Sequence, residues 1–479
     1  MSGTDPSPES GHRARVAVVG GGVSGLVAAM RMRARCGRDA VIDLYEAGDE
    51  LGGVLHARTL AGLPVDVGAE AFVVRRPEVA DLVGELGLSH HLVHPTSARP
   101  AVLARGGLHR LPRPALMGIP ADAEAIAEVA DAADVERTRS EPTRGLAWDP
   151  HTDISVGQLV GERFGRSVVT CSVDPMLGGV YSSLADDIGV RAAIPALAAA
   201  LDSGAPSLTA AVASLVGAGS DGPVFGALDG GYRMLVAALE ATGAAHILRD
   251  TPVAAVAPEP TGAVVVTESG VAASYDAVIL AVPANVAARL VAATVPGLAD
   301  ALGRVPIAGS AVVAMAWPTE AALPANSGVL IGTDEDFTAK AFTFSTNKWA
   351  HLRDDVQVVR ASFGRLGQPV EATDDELVAT AVADLARVVE LGEFESGVRT
   401  PSLPAGGPVD ALVQRWPSGL PSYGPGHLQL VAEIESHRPA RIGLAGSAYA
   451  GVGVPACVGR AGRTARIVAD EMRSGTMVS

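Results

Sequence analysis

Three glycines and one carboxylate near the start of the chain have a spacing that could bind a phosphate-linked nucleotide. Gly20, Gly22 and Gly25 follow an apolar run at 16–19 with the spacing G-x-G-x-x-G, and Glu46 ends the next apolar run. In this pattern the glycines allow a tight turn, a close approach of backbone to pyrophosphate, and close packing of helix on strand. The helix N-terminus then faces the phosphate charge, and the carboxylate accepts hydrogen bonds from ribose hydroxyls. The segment therefore predicts a dinucleotide-binding βαβ unit.

Two further stretches of small residues follow the predicted ribose carboxylate. Gly52 and Gly53 come just beyond Glu46, and a second stretch runs from Gly68 to Ala71. Small residues let backbone pass close to a bound cofactor. We therefore expect both stretches to face the same cofactor.

The order of the predicted strands and helices around these motifs indicates an α/β protein with a discontinuous, Rossmann-like cofactor domain. Residues 13–90, 225–285 and 425–479 are assigned to that domain. A mainly helical domain is predicted at 91–224, and an α+β substrate domain at 286–424. At 479 residues the chain exceeds the size that one core usually supports, which agrees with several domains.

The periodicity of apolar residues gives the individual elements. Helical spacing predicts helices at 77–86, 121–135, 155–164, 167–177, 191–201, 208–216, 374–389 and 461–472. A polar stretch at 136–145 is expected to be mobile. Runs of β-branched residues at 246–248, 253–256, 264–267 and 277–280 predict a meander packed beside the nucleotide-binding sheet. Further runs at 312–317, 329–331, 341–346 and 356–363 predict an antiparallel substrate sheet covered by helix 374–389.

Composition argues against several classes of protein. The chain has 53 acidic and 37 basic residues and a net charge of −16, which opposes non-specific binding to nucleic acid. Residues 1–12 carry no apolar signal segment, and no uninterrupted apolar span of about 20 residues occurs. We therefore expect a cytoplasmic protein without a transmembrane segment, and leave peripheral membrane contact open.

Cysteine and histidine give no metal signal. Cys36, Cys171 and Cys457 are odd in number and form no C-x-x-C pair, so they are interpreted as small buried residues. His90 and His94 would lie one helical turn apart, but no further ligand type is near them in the sequence. No metal is predicted.

Motifs spread over nearly the whole chain resemble the FAD-dependent amine oxidase superfamily, and within it the protoporphyrinogen/coproporphyrinogen oxidase family. The likeness to the superfamily lies in 20–25, 46–53 and 451–457. The likeness to the porphyrinogen branch lies in 68–72, 174–181, 229–235, 415–417, Tyr423 and 426–427. Val54 departs from the arginine or lysine of many relatives, and 446–449 reads Gly-Ser-Ala-Tyr instead of Gly-Asn-Ser-Tyr. Neither change touches a backbone contact, so cofactor binding should survive.

The resemblance implies FAD as cofactor, bound without a covalent link to Cys457. Together with the motifs above, it gives as cofactor-binding residues Gly20, Gly21, Gly22, Val23, Ser24, Gly25, Glu46, Ala47, Gly53, Gly68, Glu70, Ala71, Val253, Trp416, Val452, Gly453 and Val454.

The resemblance also implies stepwise oxidation of a porphyrinogen, with hydride transfer to the flavin and reoxidation by oxygen. The sequence contains no recognisable catalytic dyad, so catalytic residues stay unassigned. Arg75 and Arg76 are candidates for binding the propionates of the substrate, because a guanidinium can bind a carboxylate bidentately. Tyr181 is a candidate for contact with the macrocycle. The alternatives are surface arginines and a half-buried core tyrosine.

The activity favoured by these observations is oxidation of coproporphyrinogen III to coproporphyrin III with release of hydrogen peroxide, in haem biosynthesis. Only Lys340 and Lys348 are lysine, and this arginine-rich composition is interpreted as that of a high-GC genome, where the coproporphyrin-forming branch is expected. Protoporphyrinogen IX oxidase is the nearest alternative. An amine oxidase or desaturase is disfavoured by an aromatic content of 4%, and a non-catalytic flavoprotein is a further alternative. Contact with a ferrochelatase-type enzyme stays open.

Overall fold

A computed structural model describes residues 13–216, 222–352, 355–391 and 402–476. The strands are β1 (Arg15–Val19), β2 (Val41–Tyr45), β3 (Ala57–Leu60), β4 (Leu63–Asp66), β5 (Phe72–Val73), β6 (Leu92–Val93), β7 (Ala101–Ala104), β8 (Gly107–Arg110), β9 (Ala115–Leu116), β10 (Ile119–Pro120), β11 (Phe225–Leu228), β12 (His246–Leu248), β13 (Val253–Glu259), β14 (Gly262–Thr267), β15 (Ala272–Tyr275), β16 (Ala277–Leu280), β17 (Ile307–Pro318), β18 (Gly328–Ile331), β19 (Ala341–Phe344), β20 (Val356–Phe363), β21 (Asp410–Pro421) and β22 (Ile442–Leu444).

The helices are α1 (Val23–Cys36), α2 (Pro77–Glu85), α3 (Ala132–Arg139), α4 (Val156–Arg163), α5 (Arg166–Val168), α6 (Asp174–Tyr181), α7 (Val190–Ala193), α8 (Pro195–Asp202), α9 (Leu208–Val216), α10 (Tyr232–Ala241), α11 (Ala284–Val291), α12 (Pro296–Gly303), α13 (Ser345–Lys348), α14 (Asp374–Leu391), α15 (His427–His437) and α16 (Val454–Thr476). A π-helical turn, Val169–Val173, joins α5 to α6.

A five-stranded parallel sheet carries the predicted cofactor motif. Its order is β12-β2-β1-β16-β22. Along the chain, β2 and β12 are added on one side of β1, and the chain then crosses to the other side to add β16 and β22. Ligands in such doubly wound sheets bind at the carboxyl ends of the strands near this reversal. The G-x-G-x-x-G turn follows β1 directly, so it lies where a dinucleotide is expected.

Close packing of α1 on β1 depends on Gly25. A Cβ at this position would lie 1.8 Å from the carbonyl oxygen of Gly20, which no side chain could tolerate without movement of backbone. The helix packs in the same apolar core as α16, through buried residues that include Val27 and Ala465. Helices α1 and α16 therefore pack together in one core with the parallel sheet.

A seven-stranded sheet forms the second layer of the molecule. Its order is β21-β17-β20-β19-β18-β7-β8, and every pairing is antiparallel except that of β18 with β7. Helix α14 covers one face, where Leu385 and Val388 pack in a core with Trp317. The opposite face packs against the β3–β4 hairpin through Val358 and Val65. That hairpin leads into the predicted cofactor turn at Gly68.

Several predicted elements are confirmed, including helices at 77–86, 208–216 and 374–389 to within two residues, and the substrate sheet under α14. The predicted helix at 191–201 is instead two helices separated at Ile194, because Pro195 disfavours a helical residue before it. The predicted helix at 121–135 is wrong: the chain is extended at Asp131, and α3 begins only at Ala132. The stretch 136–145 is ordered by Glu141, which is fully buried and pairs with Arg163 at 2.6 Å.

The placement of some strands also differs from the prediction. Strands β12 and β16 are parallel members of the cofactor sheet, and the meander consists of β13, β14 and β15 alone. Residues 101–110, assigned to the helical domain, form the last two strands of the substrate sheet. Residues 284–303, assigned almost wholly to the substrate domain, form α11 and α12, which pack in the core of the cofactor sheet. Periodicity of a short run reports burial, and it does not say which sheet a strand joins.

Candidate functional site

The glycine turn and Glu46 meet at the end of the first two parallel strands. The backbone N–H of Gly21 donates to one oxygen of the Glu46 carboxylate at 2.7 Å, and the N–H of Gly48 donates to the other at 3.0 Å. The N–H of Gly20 is held by the carbonyl of Tyr45 at 2.8 Å. The carboxylate therefore lies beside the turn, as the prediction for a ribose ligand requires.

A second glycine pair lies directly against this turn. Gly22 and Gly52 form an isolated parallel bridge, and a Cβ on Gly53 would approach the Cα of Gly22 to 3.2 Å. Gly53 and Ala47 are exposed, so both border the surface of the turn. The N-cap residue of α1 is Gly22, which has no side chain to cap the helix, so the first N–H groups of α1 suit a ligand. This cradle of bare backbone fits a pyrophosphate.

The side chains of Val23 and Ser24 do not point to the cradle. Both are buried, and Ser24 lies close enough to the Cys457 thiol, in the first turn of α16, to lower its pKa slightly against the effect of burial. Burial raises the pKa of that thiol to about 11, so it stays protonated and is a poor nucleophile, which agrees with a non-covalent flavin. The contact brings the N-termini of α1 and α16 together.

The loop that precedes α16 is held by an aromatic pair. The Tyr423 hydroxyl accepts a hydrogen bond from the N–H of Gly451 at 2.8 Å and donates one to the carbonyl of Ser447. The His427 ring stacks on Tyr423 with centroids 3.9 Å apart, and its Nε2 lies 3.0 Å from the carbonyl oxygen of Ala448. Burial lowers the pKa of His427, so the neutral ring is favoured. This pair fixes the loop that carries Val452, Gly453 and Val454.

The second predicted cofactor turn, at Gly68, is enclosed by three other segments. A Cβ on Gly68 would lie 2.0 Å from the carbonyl oxygen of Val54. The indole N–H of Trp416 donates to the carbonyl of Val67 at 3.2 Å, and Arg360 donates to the carbonyl of Gly68 at 2.8 Å. Trp416 therefore lies at this turn, as the resemblance implies.

Glu70 has a different environment from the one predicted. Its carboxylate pairs with Lys348 at 2.6 Å and with Arg360 at 3.6 Å, and accepts a hydrogen bond from Ser345 at 2.8 Å. Burial by itself would raise the pKa of Glu70, but the two cations outweigh it and lower the pKa to about 2. The side chain is committed to the substrate sheet, so it positions the turn. Half-buried Ala71 continues the turn into β5.

Val253 lies at the far end of the cradle, in the first position of β13. Two residues earlier, the N–H of Thr251 donates to the carbonyl of Glu46 at 2.9 Å, which ties this strand to the ribose carboxylate. Contacts thus connect neighbouring segments from Val253 and Glu46 through the glycine turn to the Gly68 turn, and we call these segments the predicted flavin strip.

A small cavity of about 120 Å³ lies behind the Gly68 turn, lined among others by Asp66, Asp229 and Trp349. Asp66 accepts a hydrogen bond from the N–H of Tyr232 at the start of α10, 3.2 Å away. Burial nevertheless raises the pKa of Asp66 to about 7. The cavity is too small for a macrocycle and separate from the loop at Val452.

The predicted substrate residues differ in burial: Tyr181 is buried, whereas Arg75 and Arg76 are exposed. Tyr181 ends α6, is 7% exposed and lies 5.9 Å from the ring of Tyr423, so it adjoins the loop before α16. Val452 packs against the same core. Arg76 also borders the loop, with a guanidinium nitrogen 3.8 Å from the Cβ position of Gly451, but it is paired with Glu78 at 2.8 Å. Arg75 is exposed next to it.

The side chains that brace this site were missed as functional residues in the sequence. Lys348 and Lys340 are both engaged near it, and Tyr423 and His427 were seen only as part of a motif without a role. A usable signal existed, because Lys340 and Lys348 are the only two lysines among 37 basic residues. Their rarity suggested positions where arginine does not fit.

The histidine pattern does not form a helical pair. His91 ends a 3-10 turn and its Nδ1 lies 2.8 Å from Asp229, while His94 follows β6 and contacts the carbonyl of Phe225. Within residues 13–216, 222–352, 355–391 and 402–476, no three residues of metal-ligand type are grouped to hold an ion. Cys171 and Cys457 are buried as predicted, whereas Cys36 is partly exposed because it ends α1 at the surface.

None of the helices described combines the length and the apolar character that crossing a bilayer requires.

The parallel sheet, its glycine turn and the Glu46 carboxylate beside that turn define a dinucleotide-binding flavoprotein fold. The profile of the flavin-containing amine oxidoreductases matches residues 23–469, and the chain belongs to this family. It is therefore a flavin-dependent oxidoreductase of the α/β type with FAD as cofactor.

Relatives of the chain are similar over almost their whole length. A coproporphyrinogen III oxidase of Mycobacterium leprae is 45% identical over 93% of this chain and 96% of its own. The corresponding protein of Mycobacterium tuberculosis strain H37Rv is 46% identical over 95% of this chain and 97% of its own. A crystal structure from Exiguobacterium sp. 255-15, described provisionally as a protoporphyrinogen oxidase, superposes with a TM-score of 0.82 at 26% identity, covering 96% of this chain and 99% of that one.

Proposed function

We propose that this protein oxidises coproporphyrinogen III to coproporphyrin III in haem biosynthesis, with molecular oxygen as the final acceptor and hydrogen peroxide as by-product. The observation that carries the proposal is the similarity to mycobacterial proteins of that name, 45–46% identical across more than nine-tenths of the chain. The geometry supports it, because Tyr181 and the loop at Val452 lie at one junction beside the predicted flavin strip.

The chain's own residues hold and orient the reactants in this proposal. Glu46 would hold the ribose, the backbone of Gly20 to Gly25 would hold the pyrophosphate, and the Gly68 turn with Trp416 would hold the redox-active ring. A bound flavin would supply the hydride-acceptor chemistry that oxidation of the macrocycle requires. Formation of an aromatic product provides a strong driving force, so positioning and exclusion of water account for most of the protein's task.

Within the cluster of Glu70, Lys348 and Arg360, neither Glu70 nor Lys348 suits a proton-transfer role. The pKa of Glu70, about 2, makes it a very weak base, and the Lys348 ammonium is held by it at 2.6 Å. We therefore assign the cluster to holding the turn, and Tyr181 to packing against the substrate ring. Arg76 is assigned to the rim of the site, where it could exchange Glu78 for a propionate.

The product is a free porphyrin, which must pass to an enzyme that inserts iron. We propose that any contact with such a ferrochelatase-type enzyme is transient, and that the protein works in the cytoplasm or at the surface of a membrane.

The test is a spectroscopic assay of the FAD-loaded protein. Coproporphyrinogen III, added without oxygen, should bleach the flavin absorbance; in air, coproporphyrin fluorescence and hydrogen peroxide should appear together. A protein that stays oxidised with this substrate would contradict the proposal. Putrescine serves as a control amine and should leave the flavin oxidised.

Protoporphyrinogen IX is the second candidate substrate, favoured by the likeness to the Exiguobacterium structure. It carries two propionates where coproporphyrinogen III carries four. A higher kcat/KM with protoporphyrinogen IX than with coproporphyrinogen III would reverse the assignment.

A further inference from the structure

Lys340 is a buried cation that has no acidic partner among the described residues. It is 6% exposed, and its ammonium donates to the hydroxyl of Ser182 at 2.6 Å and to the carbonyl of Gly364 at 2.8 Å. Both acceptors are neutral, and they use two of the three N–H groups. Burial, followed by the nearby charge of Arg365, lowers the pKa of Lys340 to about 7. The environment therefore lacks the negative charge that would stabilise the ammonium.

Arg365 is a second cation at the same place. Its Nε is buried, and no described residue accepts a hydrogen bond from it. The one carboxylate that acts on its charge is Asp174. The oxygens of Asp174 are already used by the N–H of Ala185 at 2.7 Å and the hydroxyl of Thr333 at 2.8 Å. The carboxylate that acts on Arg365 is therefore already hydrogen-bonded elsewhere, and no carboxylate of the described residues acts on Lys340.

The two cations lie next to the junction of the site. Ser182, which binds Lys340, directly follows Tyr181, and its carbonyl accepts the N–H of Leu366 at 2.8 Å. The next hydroxyl, that of Ser183, is 3.1 Å from Ser422, the neighbour of Tyr423. The segment that presents Tyr181 to the loop before α16 is therefore clamped between that loop and the two cations.

The same cations also adjoin the substrate sheet near Trp416. A Cβ on Gly364, the residue before Arg365, would lie 2.8 Å from the carbonyl oxygen of Gly309. A Cβ on Gly309 would in turn lie 3.4 Å from the carbonyl oxygen of Pro417. The pair thus lies between the element that carries Tyr181 and the strand that carries Trp416.

We propose that Lys340 and Arg365 form a carboxylate-binding subsite that takes one propionate of the substrate. The proposal rests on the function proposed above. A buried cation is costly unless an anion compensates it, and a carboxylate can accept from both an ammonium and a guanidinium. In a protein of net charge −16, such an uncompensated pair is where an anionic substrate gains most.

Arg365→Gln is the clean variant, because the Nε that it removes makes no hydrogen bond in the described part of the chain. Lys340→Gln is the second variant. Arg304→Gln is the matched control: it removes an exposed arginine that follows α12 and pairs with Glu433 on α15. Arg365→Lys retains the charge and should recover part of any loss.

The experiment measures binding of coproporphyrin III and of its tetramethyl ester to the FAD-loaded protein by fluorescence titration, together with KM for coproporphyrinogen III. Loss of a charged hydrogen bond should raise Kd and KM for the acid roughly tenfold to hundredfold in Arg365→Gln and Lys340→Gln. The ester should bind equally to both variants and the wild type. The control should be unchanged.

Two results would overturn the subsite. One is an unaltered Kd and KM for the acid in both variants. The other is equal weakening of acid and ester, which would indicate a structural role only. Failure of the proposed function is distinguishable, because the wild type itself would then neither bind coproporphyrin III nor turn over its porphyrinogen.

Discussion

Replacing Glu70 by glutamine should weaken the contact between the Gly68 turn and the substrate sheet. The native carboxylate is 13% exposed and faces Lys348, Arg360 and the hydroxyl of Ser345. The variant keeps the shape of the side chain and removes its charge, which leaves Lys348 and Arg360 without the carboxylate that they share. The perturbation therefore isolates the electrostatic part of the contact.

The magnitude follows from the pKa of Glu70, which falls from 4.5 to about 2 on folding. At about 1.4 kcal/mol for each pH unit between these values, the ionised carboxylate contributes about 3 kcal/mol to the free energy of unfolding. Removing one partner of a buried pair typically costs roughly 3–5 kcal/mol, which agrees in size. Glu50→Gln is the matched control, since Glu50 pairs with Arg58 at the surface, where such pairs contribute up to about 1 kcal/mol.

The assay is urea unfolding followed by tryptophan fluorescence, because Trp349 lies beside Lys348 with the ammonium 5.1 Å from its ring. The unfolded chain binds the proton more readily than the folded protein, so the contribution of Glu70 is full above about pH 4.5 and is lost as the pH falls towards 2. The difference between wild type and Glu70→Gln should shrink over that interval. A cost no larger than that of Glu50→Gln, or a difference independent of pH, would refute the reasoning.

Two further predictions concern the cradle and the loop. Gly25→Ala should lower the FAD content and destabilise the protein by at least the roughly 1–3 kcal/mol of overpacking, because the new Cβ meets the Gly20 carbonyl. Gly84→Ala in α2 is the control and should be tolerated, because the nearest atom to its Cβ is 3.8 Å away. Equal effects of the two variants in thermal unfolding would contradict this prediction. Tyr423→Phe should lower thermal stability and speed FAD release, since it leaves a backbone N–H and carbonyl unpaired at roughly 1–3 kcal/mol each. Tyr449→Phe is the control, because the Tyr449 hydroxyl has no hydrogen-bond partner within the described residues. It should change neither thermal stability nor FAD release, and loss of FAD from this variant alone would argue against the role of Tyr423 in holding the loop.

The local parts of the cofactor site were predictable from the sequence. The turn at Gly20 to Gly25 and the carboxylate of Glu46 belong to one βαβ unit, whose geometry is set by residues close together in the chain. A glycine that must admit a neighbouring backbone, and a carboxylate at a strand end, carry this information in their type and spacing.

The tertiary structure alone decided which distant residues complete the site. Lys348 binds Glu70 across 278 positions, and Lys340 binds Ser182 across 158. Such contacts depend on the order of strands in two sheets and on how those sheets pack. The period of a short apolar run reports which side of an element is buried, but it carries no information about the partner that covers it. The cations beside Tyr181 therefore emerge only once the chain is folded.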